Sequence, residues 1–302
     1  MLRFCRRINM FKTNHATVML IKLCGQLLSR TKQSTNTTII TRNMSTRLFE
    51  SSDHAKYYAQ FRPDYPDTVV KSIVDYCKLS NNDIDTAIDI GCGTGQSTYS
   101  LKTYFKNVFG VDVSEKQIEQ AKLKYHDIKF TVGPAEDLSF LESGSVNLIT
   151  TAQALHWMNH EAFYEEVDRV LRPGGVLAVY GYGIPVENKK EAHNLVSHFY
   201  SQTLSEYWSK ERKFIEQHYQ SFHLPYDGWI RNDELEIVKN WSVDQYTGYI
   251  TSWSAWQKYL KSYPESKDLQ TLHEQLLSLY PNEEIMTIRW PIFMLLGTKP
   301  TA

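Results

Sequence analysis

The sequence predicts an α/β fold: a doubly wound, seven-stranded, mostly parallel sheet with a helical, aromatic-rich lid inserted in the C-terminal half. Three observations predict it. Between residues 86 and 180, short apolar runs alternate with segments of helical periodicity, and strands separated by helices pair in parallel with helices on both faces. A glycine cluster, Gly91-Cys92-Gly93-Thr94-Gly95, follows the first of these runs at once. That is the carboxyl end of a strand, where ligands bind in such sheets. Beyond residue 184 the alternation stops, and five of the seven tryptophans (Trp208, Trp229, Trp241, Trp253 and Trp256) gather in a mostly helical stretch.

Taken in order, the chain opens on a leader. Residues 1–49 hold nine basic side chains and no acidic one, with a hydroxyl-rich run at Ser34-Thr35-Asn36-Thr37-Thr38. This is the composition of a mitochondrial presequence; a tail ahead of a working start at Met44 fits equally. The expected compartment is the cytoplasm if translation starts at Met44, and the mitochondrial matrix if residues 1–43 act as a targeting signal. The apolar run Ala16–Leu23 is too short to span a bilayer.

Val69, Val70, Ile73, Val74 and Cys77 recur at helical spacing over 67–78, after the extended link Arg62-Pro63-Asp64-Tyr65-Pro66. Strands are expected at Thr86–Ile90, Val108–Val113, Ile128–Val132, Val146–Thr151 and Val176–Tyr180. Helices are expected at Gln96–Phe105, 115–125 (boxed by Ser114 and Gln117) and 160–171 (capped by Asn159). Leu235–Trp241 reads as a further strand and Ile285–Leu296 as the last, with Pro291 pointing to an edge position or a bulge. The expected divisions are therefore a leader (1–43), a ligand-binding core (44–183), a lid (184–280) and a final strand with its tail (281–302).

Composition excludes several functions. Across 302 residues, 33 basic and 34 acidic side chains give a net charge of −1, unlike a globally basic nucleic-acid binder. The four cysteines, Cys5, Cys24, Cys77 and Cys92, show neither C-x-x-C nor a paired Cys/His spacing, so neither a disulfide scaffold nor a metal site is expected.

The chemistry sits at strand ends. A dinucleotide fingerprint, G-x-G-x-x-G, needs glycine at position 96, but that residue is Gln96 and the third glycine is Gly95. G-x-G-x-G preceded by an acid, here Asp89, is the loop of class I methyltransferases that use S-adenosylmethionine. The Asp89 carboxylate suits a ligand with a cationic ammonium group. Asp112 ends the second strand and can accept both hydroxyls of a ribose; capping the next helix is the alternative, although Ser114 already serves there. Glu136 or Asp137 can accept from an adenine amino group, or both are solvated loop charges. Gln153, His156 and Trp157 follow the fourth strand. Gln153 can contact the cofactor. His156 reads either as a packing histidine or as a group facing cofactor or acceptor, and Trp157 either as core filling or the same. The segment lacks the Asn/Asp-Pro-Pro-aromatic motif of enzymes that methylate nucleobase amines.

These stretches resemble the type-11 class I methyltransferases, and the trans-aconitate methyltransferase-like group in particular. Asp89–Gly95 and Leu171-Arg172-Pro173-Gly174-Gly175 are general to the superfamily. Gln153-Ala154-Leu155-His156-Trp157 and Tyr57-Tyr58-Ala59-Gln60-Phe61-Arg62-Pro63-Asp64-Tyr65-Pro66 are narrower. The resemblance implies a Rossmann-like methyltransferase sheet and methyl transfer from S-adenosylmethionine to a small acceptor, often a carboxylate. It places Asp89, Gly91, Gly93 and Gly95 at the methionine end, Asp112 with Val113 at the ribose, and Glu136 and Asp137 by the adenine. It brings Tyr57, Tyr58 and Arg62 over the cofactor. Arg62 is also a candidate for pairing an acceptor carboxylate, with a structural ion pair as its alternative. An amine, phenol or thiol acceptor would need a base, and His156 is the first candidate. Neither a nucleic acid nor a membrane is an expected partner. Two other functions stay open at this stage: a non-catalytic binding protein on the same fold, and a nicotinamide-dependent oxidoreductase.

Overall fold

The computed structural model describes residues 62–79 and 85–301. Helix α1 (Asp67–Leu79) begins after Pro66, whose carbonyl accepts the Val69 N–H (2.9 Å). Its Val69, Val70, Ile73, Val74 and Cys77 form one buried stripe, as their spacing requires.

Strands β1 (Thr86–Ile90), β2 (Asn107–Asp112), β3 (Lys129–Val132), β4 (Val146–Ala152) and β5 (Leu171–Tyr182) are parallel. Helices α2 (Gln96–Leu101), α3 (Glu115–Lys124) and α4 (His160–Val170) lie between them in sequence. The sheet order is β3-β2-β1-β4-β5, with the last strand of the chain beyond β5. The order reverses between β1 and β4, and a crevice opens at such a switch point. The glycine cluster leaves β1 there.

Strand β9 (Met286–Thr298) is antiparallel and serves two sets of partners. Its second half pairs with β5 and with β7 (Ile230–Asn232); its first half pairs with β6 (Val186–Glu187) and β8 (Glu236–Trp241). Pro291 is therefore neither on an edge nor at a bulge. It stands where β9 changes partners, and its missing N–H falls at the end of the β5 ladder, where Gly183 N–H still donates to the Pro291 carbonyl (2.8 Å). Strands β6 and β7 carry no sequence signal, being too short to alternate. Strand β5 starts earlier than its apolar run: Leu171 pairs with Val146 and Val176 with Leu148, so Arg172–Gly175 bulge between them, and they exchange bonds with Lys299 (2.9 and 2.8 Å).

Alternation along the strands separates two apolar layers. Ala87, Leu148, Ala178 and Tyr180 pack towards α1, α2 and α3, whereas Ile88, Ile149, Leu177 and Val179 pack towards α4. The first layer runs on into α5 (Lys190–His198), α7 (Val243–Thr251), α8 (Ser254–Ser262) and α9 (Asp268–Leu279); the second takes in Ile215 from α6 (Arg212–Glu216). Most of the aromatic side chains build this region's own core. Tyr249 meets Trp253 and Trp290 at 5.8 and 5.4 Å, and Trp290 meets Trp241 at 5.4 Å, near the edge-to-face arrangements that aromatic quadrupoles favour. Among the described residues, no helix is long and apolar enough to cross a membrane.

Candidate active site

The loop after β1 turns through positive φ at Gly91 (+71°) and Gly95 (+82°), which side chains rarely tolerate. Space is also closed there. A Cβ on Gly91 would lie 2.5 Å from the Ala154 Cβ, and one on Gly95 would lie 2.8 Å from the Phe130 ring. Gly91 and Cys92 both donate to the Val111 carbonyl (2.7 and 3.0 Å), tying the loop to β2.

Asp89 is fully buried, and its carboxylate accepts from Ser97 Oγ (2.7 Å), Thr98 Oγ1 (2.7 Å) and Thr150 Oγ1 (2.8 Å). Burial pushes its pKa up, and the three hydroxyls oppose the shift. The acid read from sequence as an ammonium partner is thus turned inward. Its strand is buried on both faces, so the carboxylate anchors α2 and β4 to the loop. Ser97 and Thr98 directly follow the glycines, and that adjacency was the available signal.

Asp112 is partly exposed at the tip of β2. Its Oδ2 accepts the Gly93 N–H (2.9 Å) and its Oδ1 accepts the Ser114 N–H (2.8 Å). A carboxylate has about four acceptor positions, so the backbone donors leave part of that capacity open. Burial raises this pKa, against the backbone N–H donors. Val113 follows, partly buried. Across the loop after β3, Glu136 Oε1 accepts the Asn159 N–H at the start of α4 (2.7 Å). Asp137 is exposed and closes its own turn on the Ser139 N–H (3.1 Å), which together with the Ser139 hydroxyl lowers its pKa. Glu166 and Arg169 of α4 hold this loop by its backbone, at Leu138 N–H (2.6 Å) and the Leu138 carbonyl (2.9 Å).

Gln153 ends β4 at φ +56°, with its N–H on the Tyr180 carbonyl (2.9 Å) and its side-chain amide on the Tyr182 carbonyl (2.8 Å). A left-handed non-glycine residue stores about 1 kcal/mol or more. Gln153→Ala loses the side-chain bond and keeps the strain, whereas Gln153→Gly loses both. We expect the glycine variant to be the more stable by about 1 kcal/mol in urea unfolding. Equal stability would mean that the position carries no strain.

His156 lies in a 3₁₀ turn, Leu155–Trp157, with its Nδ1 and the Tyr219 hydroxyl 2.6 Å apart and its ring 4.9 Å from that of Trp157. Burial, helped by the positive charge of Arg212, lowers its pKa to about 3. The imidazole is neutral at physiological pH. Tyr219, 63 positions further along the chain, gives no local hint of this contact.

Arg62 donates through Nη1 to the Tyr182 hydroxyl (2.9 Å), and its guanidinium carbon lies 5.7 Å from the centre of the Tyr249 ring. One cleft brings together Arg62, Asp64, Tyr65, Gly91, Cys92, Gly93, Ser97, Gln153 and Tyr182. His156, Trp157, Asp112 and the Glu136–Asp137 pair lie outside its lining. Tyr57 and Tyr58 fall outside the described residues.

Comparison with known proteins converges on one chemistry. Residues 88–179 match a family described as a methyltransferase domain. The chain is 35% identical over 252 residues to a Dictyostelium discoideum protein named as a methyltransferase, covering 81% of this chain and 93% of that protein. It is 26% identical over 294 residues to Saccharomyces cerevisiae CRG1, named as an S-adenosylmethionine-dependent methyltransferase, covering 83% and 96% of the two. A solved structure from Anaeromyxobacter dehalogenans, described as a type II methyltransferase, is 31% identical. It superposes with a TM-score of 0.70 over 80% of this chain and 100% of its own.

Proposed function

This chain belongs to the class I S-adenosylmethionine-dependent methyltransferases, and from that membership we propose that its acceptor is a small molecule attacking through a carboxylate. The membership removes the nicotinamide-dependent alternative. The residues present fit the cofactor: the glycine loop is a close-packed cradle, and Asp112 keeps acceptor positions of the kind a ribose diol needs. In this reading Gly91, Gly93 and Gly95 line the methionine end, and Arg62, in the same cleft, meets the cofactor's own carboxylate. Asp112 and Val113 hold the ribose. Glu136 and Asp137 border the adenine, and Gln153 closes the floor. Asp89 acts indirectly, by fixing the loop.

Bound there, the cofactor would supply an activated methyl carbon on a sulfonium; its transfer to a carboxylate would form one C–O bond, break one C–S bond with the electron pair left on sulfur, and require no proton transfer. The chain's part is to position the acceptor and exclude water. One observation carries the choice of acceptor. His156 is tied to Tyr219 and held at a pKa of about 3, too weak a base for an amine, phenol or thiol. A carboxylate is ionised at neutral pH and needs none. Trp157, packed on His156, walls that side.

The test is transfer of a tritiated methyl group from S-adenosylmethionine to matched panels of small carboxylic acids, amines, phenols and thiols. We expect methyl esters, with kcat flat between about pH 6 and 8, because neither His156 nor the acceptor titrates there. Transfer to amines, phenols or thiols alone, with a rate that climbs with pH, contradicts the proposal. Cofactor binding without transfer to any class would favour a binding protein instead.

A further inference from the structure

We propose that Arg212 is the anchor for the acceptor's carboxylate, a role that rests on the carboxylate reading above. Arg212 opens α6 and is held on three sides. Its Nε donates to the Tyr200 hydroxyl (2.8 Å), which in turn donates to Glu216 Oε1 (2.6 Å). Its guanidinium carbon lies 4.8 Å from the Trp208 ring centre and 5.6 Å from that of Tyr200. Trp208 is itself fixed, donating from Nε1 to the Tyr200 carbonyl (3.0 Å). The guanidinium plane is thus set before any ligand arrives.

Its outer edge is uncommitted. Arg169, Arg231 and Arg289 each pair with an acid. Among the described residues Arg212 makes no such pair, and its two Nη groups carry no hydrogen bond. Of the two nearby acids on the chain, Glu216 is exposed and takes the Tyr200 hydroxyl instead, and Glu211, whose Oε2 is buried without a hydrogen bond, makes no ion pair with Arg212. A partly buried cation without a counter-ion is costly, and an anionic ligand offsets that cost. The fork of N–H groups left open matches a carboxylate bidentately.

Position agrees with this role. Trp253 joins the surroundings of the two cations, Arg212 and Arg62: its ring lies 5.6 Å from Tyr200, 5.7 Å from Trp208 and 5.8 Å from Tyr249. Arg62 reaches Tyr249 as well, but it is engaged with Tyr182 and lines the cleft of the glycine loop, which Arg212 does not. The two cations divide the ligands: Arg62 serves the cofactor side and Arg212 the acceptor side. Trp208 and Tyr200 already touch each other, their ring centres 4.4 Å apart, so the packing of these rings does not call for the charge.

The experiment compares the full chain with Arg212→Ala and Arg212→Lys, using hexanoate, octanoate, benzoate and phenylacetate as acceptors. Calorimetric titration of S-adenosylhomocysteine runs alongside. For Arg212→Ala we expect KM for the acid to rise about tenfold to a hundredfold. The expected kcat stays within about threefold and the S-adenosylhomocysteine affinity is unchanged. Arg212→Lys should recover part of the loss. Guanidinium chloride at non-denaturing concentration should recover more of it in Arg212→Ala, and sodium chloride at equal ionic strength should not. An unchanged KM overturns the assignment. So does a fall in S-adenosylhomocysteine affinity that guanidinium leaves uncorrected, which marks Arg212 as structural. Both results leave the carboxylate reading standing if the parent makes esters. A parent that methylates none of the four acids overturns both.

Discussion

Asp112→Ala should weaken S-adenosylhomocysteine binding by at least about a hundredfold, because it removes two charge-assisted bonds to the ribose, each contributing about 1.5–3 kcal/mol. It also strands two backbone donors, Gly93 N–H and Ser114 N–H, which now sit 2.9 and 2.8 Å from the carboxylate. Loop geometry and ligand contact therefore fail together. Asp112→Asn is the finer instrument. It keeps the shape but turns an NH₂ group towards one of those donors, so it should lie near the alanine variant rather than near the parent. The dependence on pH has a definite sign. The ribose needs the ionised carboxylate, and burial raises its pKa above the usual 3.8. Affinity should hold at neutral pH and fall on acidification through that raised value, sooner than for an exposed aspartate. Calorimetric titration of both variants, and of the parent at several pH values, checks this. Parent-like affinity in Asp112→Ala would remove the ribose assignment.

Glu187→Ala should destabilise the protein by about 3 kcal/mol, the upper scale for leaving buried polar groups without their partner. Strand β6 consists of Val186 and Glu187 alone, and the Glu187 side chain is fully buried. It accepts the Tyr246 hydroxyl from α7 and faces His193 Nδ1 of α5 at 2.8 Å. Removal leaves Tyr246, itself 0% exposed, with no partner for its hydroxyl. Glu187→Gln can still accept from Tyr246 and should cost about 1 kcal/mol. Burial raises the Glu187 pKa above 4.5. For a raised acid the contribution is fully present below the unfolded pKa and is lost as pH rises through the folded one. The parent should therefore gain on Glu187→Gln as pH is lowered through that window. Urea unfolding at several pH values reads both effects. A loss of under about 1 kcal/mol for Glu187→Ala would show that the joint is not a structural centre.

Local chemistry was legible in the sequence, and long-range partnership was not. The apolar runs at Thr86–Ile90 and Val176–Tyr180, broken by glycines, were enough to place parallel strands and the cleft between them. The Ser114 and Asn159 caps stand where short-range hydrogen bonding puts them. Asp89 was read as facing a ligand because its position beside the glycines is visible. Its three hydroxyl partners are not, since Thr150 is 61 residues away. Tyr219 beside His156 and Tyr200 beneath Arg212 depend on how 199–222 folds back, and no periodicity encodes that. Pro291 misled because a proline inside a strand signals an interruption in hydrogen bonding, which here falls between two ladders.

The two allegiances of β9 also set the order of events while the chain is being made. Strands β1 to β5 can pair in parallel and gather their helices soon after they emerge. The outer edge of β5, from Val176 to Tyr182, is completed only by residues 292–298. Until those arrive, a sheet edge of buried apolar residues faces water, a template for aggregation. Strands β6, β7 and β8 wait for the same segment. A ribosome that pauses anywhere between residues 183 and 285 holds an unfinished sheet, and the arrival of β9 completes β5 and seats β6, β7 and β8 in one step.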